Sequence, residues 1–387
     1  MGLSSADVVV IGGGIIGTAA AYYLAKTGLS VELVERKGIA SGTSSACADG
    51  LLLQTKAPGP KLAMAAESVR IYRQLGEELD CDLELRNEGG MIAALDQTEL
   101  DYVTGLAERL RAHGVPVELL DSRAARELQP AFTPELLAST YCPLDCHLNP
   151  LRVSSGFARA ARRLGARIRQ GTEVTGIEVH KGRVSAVITS QGRIDTRTVV
   201  NAAGVWAPAV ARMVGQELAV IPRRGHILVS ERISPLLRGR ILGARYLMSK
   251  LGKPATGGDT GVSTYSSGMI FGQQASGNLL IGATREFVGL DNSVTYEAIS
   301  DLAKQLVQLI PALRDVQILR VFAGLRPATP DGMPVIKRYP EPEGFVVAAG
   351  LEGDGICLSP ITGKVVAAIV AGRIDDYHQF ELVADSQ

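Results

Sequence analysis

The chain has 387 residues, which is too long for one simple hydrophobic core and therefore favours two domains. Hydrophobic residues make up 46% and charged residues 21% of the sequence, as is typical of a soluble globular enzyme. The 40 basic and 40 acidic side chains cancel, so the charge balance gives no indication of a nucleic-acid-binding surface or of an acidic polymer as partner.

The stretch from residue 8 to residue 35 predicts a strand, a tight turn, a helix and a second strand. Its first four residues are β-branched and uncharged, as in a strand that is buried on both faces. An alanine-rich helix follows over residues 15–26, and Gly28 ends it. Three glycines in and after the turn have the spacing G-x-G-x-x-G, namely Gly12, Gly14 and Gly17.

This glycine spacing favours a dinucleotide-binding site. Gly12 lets the chain turn out of the strand, Gly14 lets the backbone approach a pyrophosphate, and Gly17 lets the helix lie close to the sheet. The helix N-terminus then directs its free N–H groups at the phosphates. Glu35 lies 18 residues after Gly17, where a carboxylate can accept both hydroxyls of the adenosine ribose. Arg36 leaves NADP as an alternative, but Glu35 favours a free 2′-hydroxyl.

The sequence also bears on location and metal content. The uncharged run over residues 8–25 contains a glycine cluster and fits a strand and helix, which makes it a poor membrane-spanning helix. Asp7 stands where a signal peptide requires positive charge, so we expect a cytoplasmic protein. The odd number of cysteines, five, favours reduced thiols. Cys142 and Cys146 fit no zinc-binding spacing, and we predict two structural thiols and no metal site.

The segment of residues 38–50, GIASGTSSACADG, predicts a loop that contacts phosphate or a ring system, because it is small, polar and rich in glycine. Together with GGGIIG and Glu35, its SGTSS sequence resembles the D-amino acid oxidase superfamily of flavoproteins. This superfamily includes glycine oxidase, sarcosine oxidase and D-amino acid dehydrogenase. The resemblance implies FAD as cofactor, with Glu35 on its ribose and with Thr43 and Ser44 beside its pyrophosphate and flavin.

Hydrophobic periodicity predicts further helices over residues 61–79, 99–113, 123–128 and 151–164. We expect a strand within residues 85–95, another over 166–169, and a hairpin centred on residues 181–182. From Pro222 the pattern changes to strands over residues 226–230, 269–273 and 279–283, and a helix follows over 296–310. Residues 252–268 are rich in Gly, Ser and Thr and predict a long loop, of the kind that often forms a lid or a partner surface.

Later segments extend the resemblance over residues 7–372. A strand over residues 198–201 runs into Ala-Ala-Gly, where small residues let its end pass close to a cofactor. AGLRPATPDG follows at 323–332, and GLEGDGI at 350–356 precedes a predicted helix over 359–371, whose N-terminus favours the negative edge of a reduced flavin. The resemblance implies cofactor contacts at Gly12, Gly14, Ile15, Ile16, Gly17, Glu35, Arg36, Thr43, Ser44, Ser45, Cys47, Val174, Ala202, Gly204, Trp206, Arg326, Gly353, Asp354, Gly355 and Ile356.

The predicted fold class is α/β, with a Rossmann-like FAD-binding domain and an inserted substrate domain of the α+β type that contains an antiparallel sheet. The FAD-binding domain is discontinuous and comprises residues 1–84, 142–220 and 322–387, and the substrate domain comprises residues 85–141 and 221–321. Leu351 departs from the family, which often has a histidine there. No cysteine lies within residues 326–331 to carry a covalent flavin, so we expect non-covalent FAD.

Arg326 is the first candidate for substrate contact, because the Arg of GLRP pairs with the substrate carboxylate in the family pattern. A guanidinium offers a planar, two-pronged donor to a carboxylate, and the alternative is a structural salt bridge. His226 and Tyr265 are candidates for the wall of the substrate site, with a purely structural role as the alternative for each. The implied reaction is hydride transfer from the substrate α-carbon to flavin N5, once the amine is neutral.

Residues 45–50, 54–60 and 285–291 resemble, more narrowly, the β subunits of heteromeric dehydrogenases that act on opines, D-hydroxyproline or proline. This implies an FAD-dependent dehydrogenase that oxidises the C–N bond of a carboxylate-bearing amino acid, cyclic imino acid or opine and passes electrons to other redox subunits. Two alternatives stay open. One is a stand-alone glycine or D-amino acid oxidase that reduces O2 to H2O2, and the other is a flavin scaffold or electron-transfer subunit without its own substrate.

Overall fold

The computed structural model describes residues 4–251 and 265–380. The strands in this part of the chain are β1 (Ser4–Ser5), β2 (Val8–Ile11), β3 (Val31–Glu35), β4 (Gly50–Leu51), β5 (Gly90–Ala94), β6 (Glu118–Asp121), β7 (Ala138–Cys142), β8 (Cys146–His147), β9 (Arg167–Gln170), β10 (Val174–His180), β11 (Arg183–Thr189), β12 (Gly192–Asp195), β13 (Thr198–Asn201), β14 (Ile221–Arg232), β15 (Arg240–Gly243), β16 (Ser266–Gln273), β17 (Asn278–Arg285), β18 (Ile318–Ala328), β19 (Val335–Arg338) and β20 (Phe345–Ala349). The α-helices are α1 (Ile15–Lys26), α2 (Pro60–Leu79), α3 (Gln97–Ala112), α4 (Ser122–Leu128), α5 (Pro150–Arg163), α6 (Ala207–Arg212), α7 (Ala244–Leu251), α8 (Tyr296–Leu309) and α9 (Gly355–Val370).

The first large sheet has six strands in the order β19-β20-β13-β2-β3-β9. All neighbours are parallel except β19 and β20. Val8 pairs with Val31 on one side and with Thr198 on the other, so the glycine-rich turn after β2 lies at the centre of the sheet. The strands β2 and β20 are completely buried, as their uncharged sequences predict. This arrangement confirms the predicted α/β class and the Rossmann-like unit.

Helix α1 packs against α5 and α9 and is buried over its whole length except for its last residue. A separate apolar cluster, which includes side chains of α6, packs against β2, β13 and β20. Both faces of the parallel sheet are therefore covered, as parallel strands require. A smaller sheet, β1-β12-β11-β10, contains the predicted hairpin, and Lys181 lies in its turn with a positive φ of 51°.

The second large sheet has eight strands in the order β18-β14-β17-β16-β15-β5-β7-β6. Its neighbours are antiparallel except for β15 and β5. The longest pairing joins β14 to β18, from Ile221 opposite Ala328 to Ser230 opposite Ile318. The apolar face of α8 packs on β16 and β17. The antiparallel sheet expected for a substrate domain is present, whereas the proposed domain boundaries stay a prediction; β18 runs across the boundary placed at residue 322.

Helix α9 begins at Gly355, four residues before the predicted start at Ser359. Pro360 lies inside the helix and has no N–H to give to the carbonyl of Ile356. The Tyr72 hydroxyl replaces this donor, since it bonds to the Ile356 carbonyl at 2.6 Å and to Ser359 Oγ at 2.8 Å. A hydrogen bond from a distant helix therefore stabilises the first turns of α9.

Helix α7 is a second difference, because the sequence pattern did not predict it. The loop predicted over residues 252–268 lies mostly outside the described residues, and its last three residues already belong to β16. Within the described ranges, no helix combines the length and the apolar character needed to cross a bilayer.

Candidate active site

A cavity of about 290 Å³ lies at the carboxyl ends of the parallel strands, between the N-termini of α1 and α9. The ends of β2, β3 and β20 and the residues after β13 form one wall. Residues from α7, β16, β17 and β18 of the second sheet form another. In open α/β sheets, ligands bind in this position because neighbouring loops diverge from the strand ends there.

The turn after β2 brings α1 very close to the sheet. A Cβ atom on Gly17 would lie 1.9 Å from the carbonyl oxygen of Gly12, so only glycine fits at this contact. The first turn of α1 contains no acidic residue, and Gly14 at its N-cap supplies no side chain. The cavity is lined by Gly12, Gly14, Ile15 and Ile16. Gly17 does not line it, and its contribution is to let α1 lie close to the turn. The positive end of the helix dipole is therefore open to an anion.

Glu35 lies at the end of β3 and lines the cavity. Its carboxylate accepts the backbone N–H of Gly13 at 2.7 Å and that of Lys37 at 2.8 Å, which fixes its direction while leaving lone pairs for hydroxyl groups. Beside it, the guanidinium of Arg36 lies 4.0 Å from the centre of the Trp206 ring. Both of these side chains line the cavity, as do three smaller predicted residues, Val174, Ala202 and Gly204.

The loop after β3 contacts both helix α1 and the second sheet. Ser44 Oγ accepts the Ile15 N–H at 3.0 Å, and the Thr43 hydroxyl donates to the Leu325 carbonyl at 2.5 Å. Thr43, Ser44 and Cys47 line the cavity. Ser45 does not, because its hydroxyl donates within the loop to the Gly42 carbonyl at 3.1 Å. Burial raises the pKa of the Cys47 thiol to about 12, so it is un-ionised at neutral pH.

The N-terminus of α9, which follows strand β20, also reaches the cavity. Gly353, Asp354, Gly355 and Ile356 all line it, together with the buried Leu351. Asp354 occupies the N-cap, but its side chain does not cap the helix. Instead its carboxylate faces three lysines. Burial acts to raise the pKa of this carboxyl, but the hydrogen bond from Lys250 and the charges of Lys56 and Lys61 hold it well below the usual range. The free N–H groups of this second helix end favour negative charge in the cavity.

Arg326 projects from β18 into the same cavity. Its Nη1 donates to the carbonyls of Thr284, at 2.9 Å, and Arg224, at 3.4 Å. A Cβ atom on Gly225 would lie 2.3 Å from the guanidinium, so this glycine makes room for it. Within the described residues Arg326 has no carboxylate at ion-pairing distance, which removes the salt-bridge alternative there. Burial, followed by repulsion from Arg285, lowers its pKa to about 10, so it stays charged at neutral pH.

The structure places His226 behind this wall, so it does not line the cavity. The side chain is fully buried, and its Nε2 accepts the Thr295 N–H at 3.3 Å. Its Nδ1 therefore carries the hydrogen and donates to Thr284 Oγ1 at 2.7 Å. The buried Glu286 carboxylate lies 3.3 Å away, and burial lowers the pKa of the imidazole. These contacts fit a purely structural role for His226. Its partner Thr284 also accepts a hydrogen bond from Arg326 through its carbonyl, so His226 supports the residue that positions Arg326.

Tyr265 also lies away from the cavity. Its side chain is 36% exposed, and its hydroxyl donates to the carboxylate of Asp301 on α8 at 2.8 Å. A different tyrosine, Tyr246 of α7, occupies the wall position that was expected for Tyr265. It lines the cavity, and its ring stacks on Arg285 at 4.3 Å. Tyr246 was not among the predicted site residues, and the sequence pattern did not predict the helix that carries it.

Three lysines line the cavity, Lys37, Lys56 and Lys250, and none of them was among the predicted site residues. The Nζ atoms of Lys56 and Lys250 lie 3.0 Å and 2.7 Å from Asp354 Oδ1, and Lys61 Nζ lies 2.8 Å from Oδ2. Only the segment containing Lys56 had been singled out, through its resemblance to known sequences. No sequence signal joins these residues, because they come from α2, α7 and loops far apart in the chain.

Comparisons with known proteins agree with this site. A glycine oxidase of Bacillus licheniformis is 30% identical over 95% of this chain and 93% of its own length. A hydrogen cyanide synthase subunit of Pseudomonas aeruginosa is 27% identical over 94% of this chain and 92% of its own. The crystal structure of an L-proline dehydrogenase from P. horikoshii superimposes with a TM-score of 0.85 and 25% identity, over 98% of both chains.

The sequence profile of the FAD dependent oxidoreductase (DAO) family matches residues 7–369. This range includes both helix N-termini that face the cavity, the Glu35 carboxylate and Arg326. The chain therefore belongs to the DAO family and is an FAD-dependent oxidoreductase.

Proposed function

We propose that the chain is the catalytic subunit of a dehydrogenase that oxidises the C–N bond of an amino acid, a cyclic imino acid or an opine. The observation that carries this proposal is Arg326, a partly buried guanidinium that lines the cavity and has only backbone carbonyls as hydrogen-bond partners in the described structure. A substrate carboxylate would satisfy its remaining donors. The names of the relatives support amino acids as the substrate class, since they include a glycine oxidase and an L-proline dehydrogenase.

The residues of the cavity fit FAD. The N-termini of α1 and α9 both open into it, and neither is capped by the side chain of its own N-cap residue, which suits two negative groups, a pyrophosphate and the C2 carbonyl edge of the flavin. Glu35, held by two backbone N–H groups, would bind the ribose hydroxyls. Thr43 and Ser44 would lie beside the pyrophosphate. The nearby Cys47 also lines the cavity, and the raised pKa of its thiol, which keeps it un-ionised, supports the prediction that FAD is bound without a covalent bond.

FAD, when bound, supplies the acceptor for a hydride. The chain's own contribution is to bind and orient the substrate and to exclude water. Arg326 would fix the carboxylate and therefore the direction of the α-carbon. Apolar side chains, among them Leu52, Ile270 and Ala283, line the cavity and favour a neutral amine over an ammonium ion by desolvation.

The hetero-oligomer is part of the proposal. It is supported by the resemblance of residues 45–50, 54–60 and 285–291 to β subunits of heteromeric dehydrogenases, and by the word subunit in the name of one relative. Exposed apolar side chains lie at the end of the last of these segments and shortly after it, at Leu290, Val294 and Tyr296. The cytoplasmic location is also proposed, and the five free thiols fit a reducing compartment. A stand-alone oxidase is the second candidate, because several relatives are glycine oxidases of similar length.

The test is an anaerobic titration of the protein as purified from cells, together with whatever subunits accompany it. Glycine, sarcosine, L-proline, D-proline, D-hydroxyproline and iminodiacetate are added in turn, and bleaching of the oxidised flavin band is recorded. Bleaching by one of them supports the proposed reaction. Slow reoxidation in air supports a dehydrogenase, and rapid reoxidation supports the oxidase. A flavin that none of these compounds bleaches contradicts the proposal and favours a scaffold.

The variant Arg326→Lys tests the carboxylate contact. It keeps the positive charge but loses the two-pronged donor, so we expect the KM of the bleaching compound to rise by roughly 10- to 100-fold. Arg320→Lys is the matched control, because Arg320 is an exposed residue of the same strand. An unchanged KM and kcat in Arg326→Lys would show that the substrate carboxylate binds elsewhere.

A further inference from the structure

We infer that Lys250 accepts a proton from the amino nitrogen of the substrate before the hydride leaves. This inference rests on the proposed function, because it requires an amine as substrate. In this step an N–H bond of the substrate ammonium breaks, its proton forms a new bond to the neutral Nζ of Lys250, and the electron pair stays on the substrate nitrogen. That pair would form the C=N bond when the hydride leaves the α-carbon with two electrons, for which bound FAD would be the acceptor.

The position of Lys250 supports this role. It lies at the end of α7 and lines the cavity together with Tyr246 and Arg326. Its Nζ lies 2.7 Å from Asp354 Oδ1, and its next partner is Thr55 Oγ1, at the longer distance of 3.4 Å. Among the residues that the structure describes, one N–H is therefore engaged at a normal hydrogen-bond distance, and the rest of the amine is available to the cavity.

The two other lysines of the cluster are already committed to hydrogen bonds. Lys56 donates to the Leu52 carbonyl and to Thr55 Oγ1, both at 2.8 Å, and its Nζ forms an ion pair with Asp354 Oδ1 at 3.0 Å, so all three of its hydrogens have an acceptor nearby. Lys61 donates to the Gly332 carbonyl and forms an ion pair with Asp354, and it does not line the cavity. Lys250 is the amine of the cluster with unused capacity that faces the cavity.

The charges around the cluster favour a neutral Lys250. Asp354 supplies one negative charge, whereas Lys56 and Lys61 supply two positive charges. Arg326 adds another positive charge in the cavity wall. Burial, followed by repulsion from the other lysines, lowers the pKa of Lys250, and Asp354 opposes this shift.

Charges on the other elements that pack against α7 do not reverse this balance. On α3, the carboxylates of Asp96 and Glu99 are paired with Arg245 of α7 itself. On β17, Arg285 stacks on Tyr246 and is a further cation. On β15, Arg240 is paired with Asp49, and in the cavity region Arg223 is paired with Glu352. Asp354 thus remains the carboxylate that stabilises the ammonium once the proton has arrived, and the substrate carboxylate offsets the added charge.

The first test measures the rate of anaerobic flavin reduction against pH, with the compound of the panel that bleaches the wild type. In Lys250→Met we expect the limiting rate to fall roughly 100-fold near neutral pH. The loss should shrink at high pH, where the substrate amine is already neutral. Lys61→Met is the matched variant, since it removes a neighbouring cation. We expect the rate of Lys61→Met to be half-maximal at a higher pH than the rate of the wild type, because removal of this cation raises the pKa of Lys250.

The second test does not depend on turnover. The wild-type holoenzyme is acetylated with limiting acetic anhydride at a series of pH values, and each lysine is quantified by mass spectrometry. Lys250 should reach half of its maximal reactivity at a lower pH than the exposed Lys26 and Lys37. A Lys250 midpoint in the range of these exposed lysines would overturn the inference.

The remaining outcomes are also decisive. A Lys250→Met enzyme that changes KM without changing the limiting rate would identify Lys250 as a binding cation and overturn its role as proton acceptor. A limiting rate and pH profile equal to the wild type would do the same. If no compound of the panel bleaches the wild-type flavin, the proposed function fails on its own evidence. The acetylation profile then still decides whether Lys250 is a neutral amine.

Discussion

Replacement of Asp145 by Asn should remove a pH dependence of stability that this buried carboxyl introduces. The Asp145 side chain is fully buried and accepts the Leu53 N–H at 2.6 Å and a Gln54 side-chain N–H at 2.9 Å. These bonds hold the short turn that carries Thr55 and Lys56 into the cavity. Burial is the largest influence on this group and raises its pKa from 3.8 to about 6, against the opposing effect of the hydrogen bonds.

The sign and the size of the effect follow from this shift. Between pH 3.8 and about pH 6 the folded state holds a proton that the unfolded chain has already released. The contribution of Asp145 to stability is therefore fully present below pH 3.8, and it is lost as the pH rises through about 6. A shift of about two pKa units corresponds to roughly 3 kcal/mol of unfolding free energy. Asn resembles the protonated carboxyl and cannot ionise. The unfolding free energy of the variant therefore lacks the change with pH that Asp145 causes in the wild type.

The assay is urea unfolding of the FAD-loaded wild type and of Asp145→Asn at several pH values from about 4 to about 7. The free energy of unfolding of the wild type, minus that of the variant, should fall by roughly 3 kcal/mol across this range and stay constant above it. Asp315→Asn, at an exposed position, is the control, and its difference from the wild type should not follow this curve. A constant difference between Asp145→Asn and the wild type would refute the reasoning.

Three further predictions concern the cavity and its supports. Gly17→Ala places a methyl group against the Gly12 carbonyl and forces α1 away from the sheet, so FAD affinity should fall at least about tenfold in a titration of the apoprotein. Tyr72→Phe leaves the carbonyl freed by the proline of α9 without its 2.6 Å donor, and thermal unfolding should show a loss of about 1–3 kcal/mol. Iodoacetamide should modify Cys81 of the apoprotein before Cys47, because burial raises the pKa of the Cys47 thiol to about 12.

Each of these predictions has its own control or contrary result. Gly243→Ala adds a methyl group at ordinary contact distance, 3.8 Å from Met269, and should leave FAD affinity within about twofold. Tyr102→Phe should change stability by less than about 0.5 kcal/mol, since no side-chain bond of that hydroxyl is seen in the described structure. An unaltered melting curve for Tyr72→Phe, or earlier alkylation of Cys47 than of Cys81, would contradict the respective argument.

Some features were predictable because short-range patterns determine them. The βαβ unit around Gly12, Gly14 and Gly17 depends on a run of fewer than 30 residues, in which strand, turn and helix are all encoded by neighbours. The position of Glu35 at the end of the second strand follows from the same run. Arg326 was found through a local motif, and it does line the cavity. The two-sheet architecture followed from the change of pattern after Pro222.

Other features exist only in the tertiary structure. His226 looked like a wall residue, yet the packing of β14 between β17 and β18 buries it behind the cavity, with Thr284 and Glu286 as partners. Helix α9 begins earlier than its sequence indicated, because a hydroxyl from α2 satisfies the carbonyl that Pro360 leaves free. In both cases the deciding contact comes from a segment distant in the chain.

The lysine cluster shows this most clearly. The sequence by itself predicted a dinucleotide turn, a carboxylate for the ribose and an arginine for the substrate carboxylate, since each belongs to a short motif with its own spacing. It could not indicate that Lys56, Lys61 and Lys250 share the single carboxylate of Asp354. Charges in water interact weakly, and the fold alone decides which of them are brought together and removed from solvent. The protonation state that we infer for the Lys250 amine therefore depends on the tertiary structure.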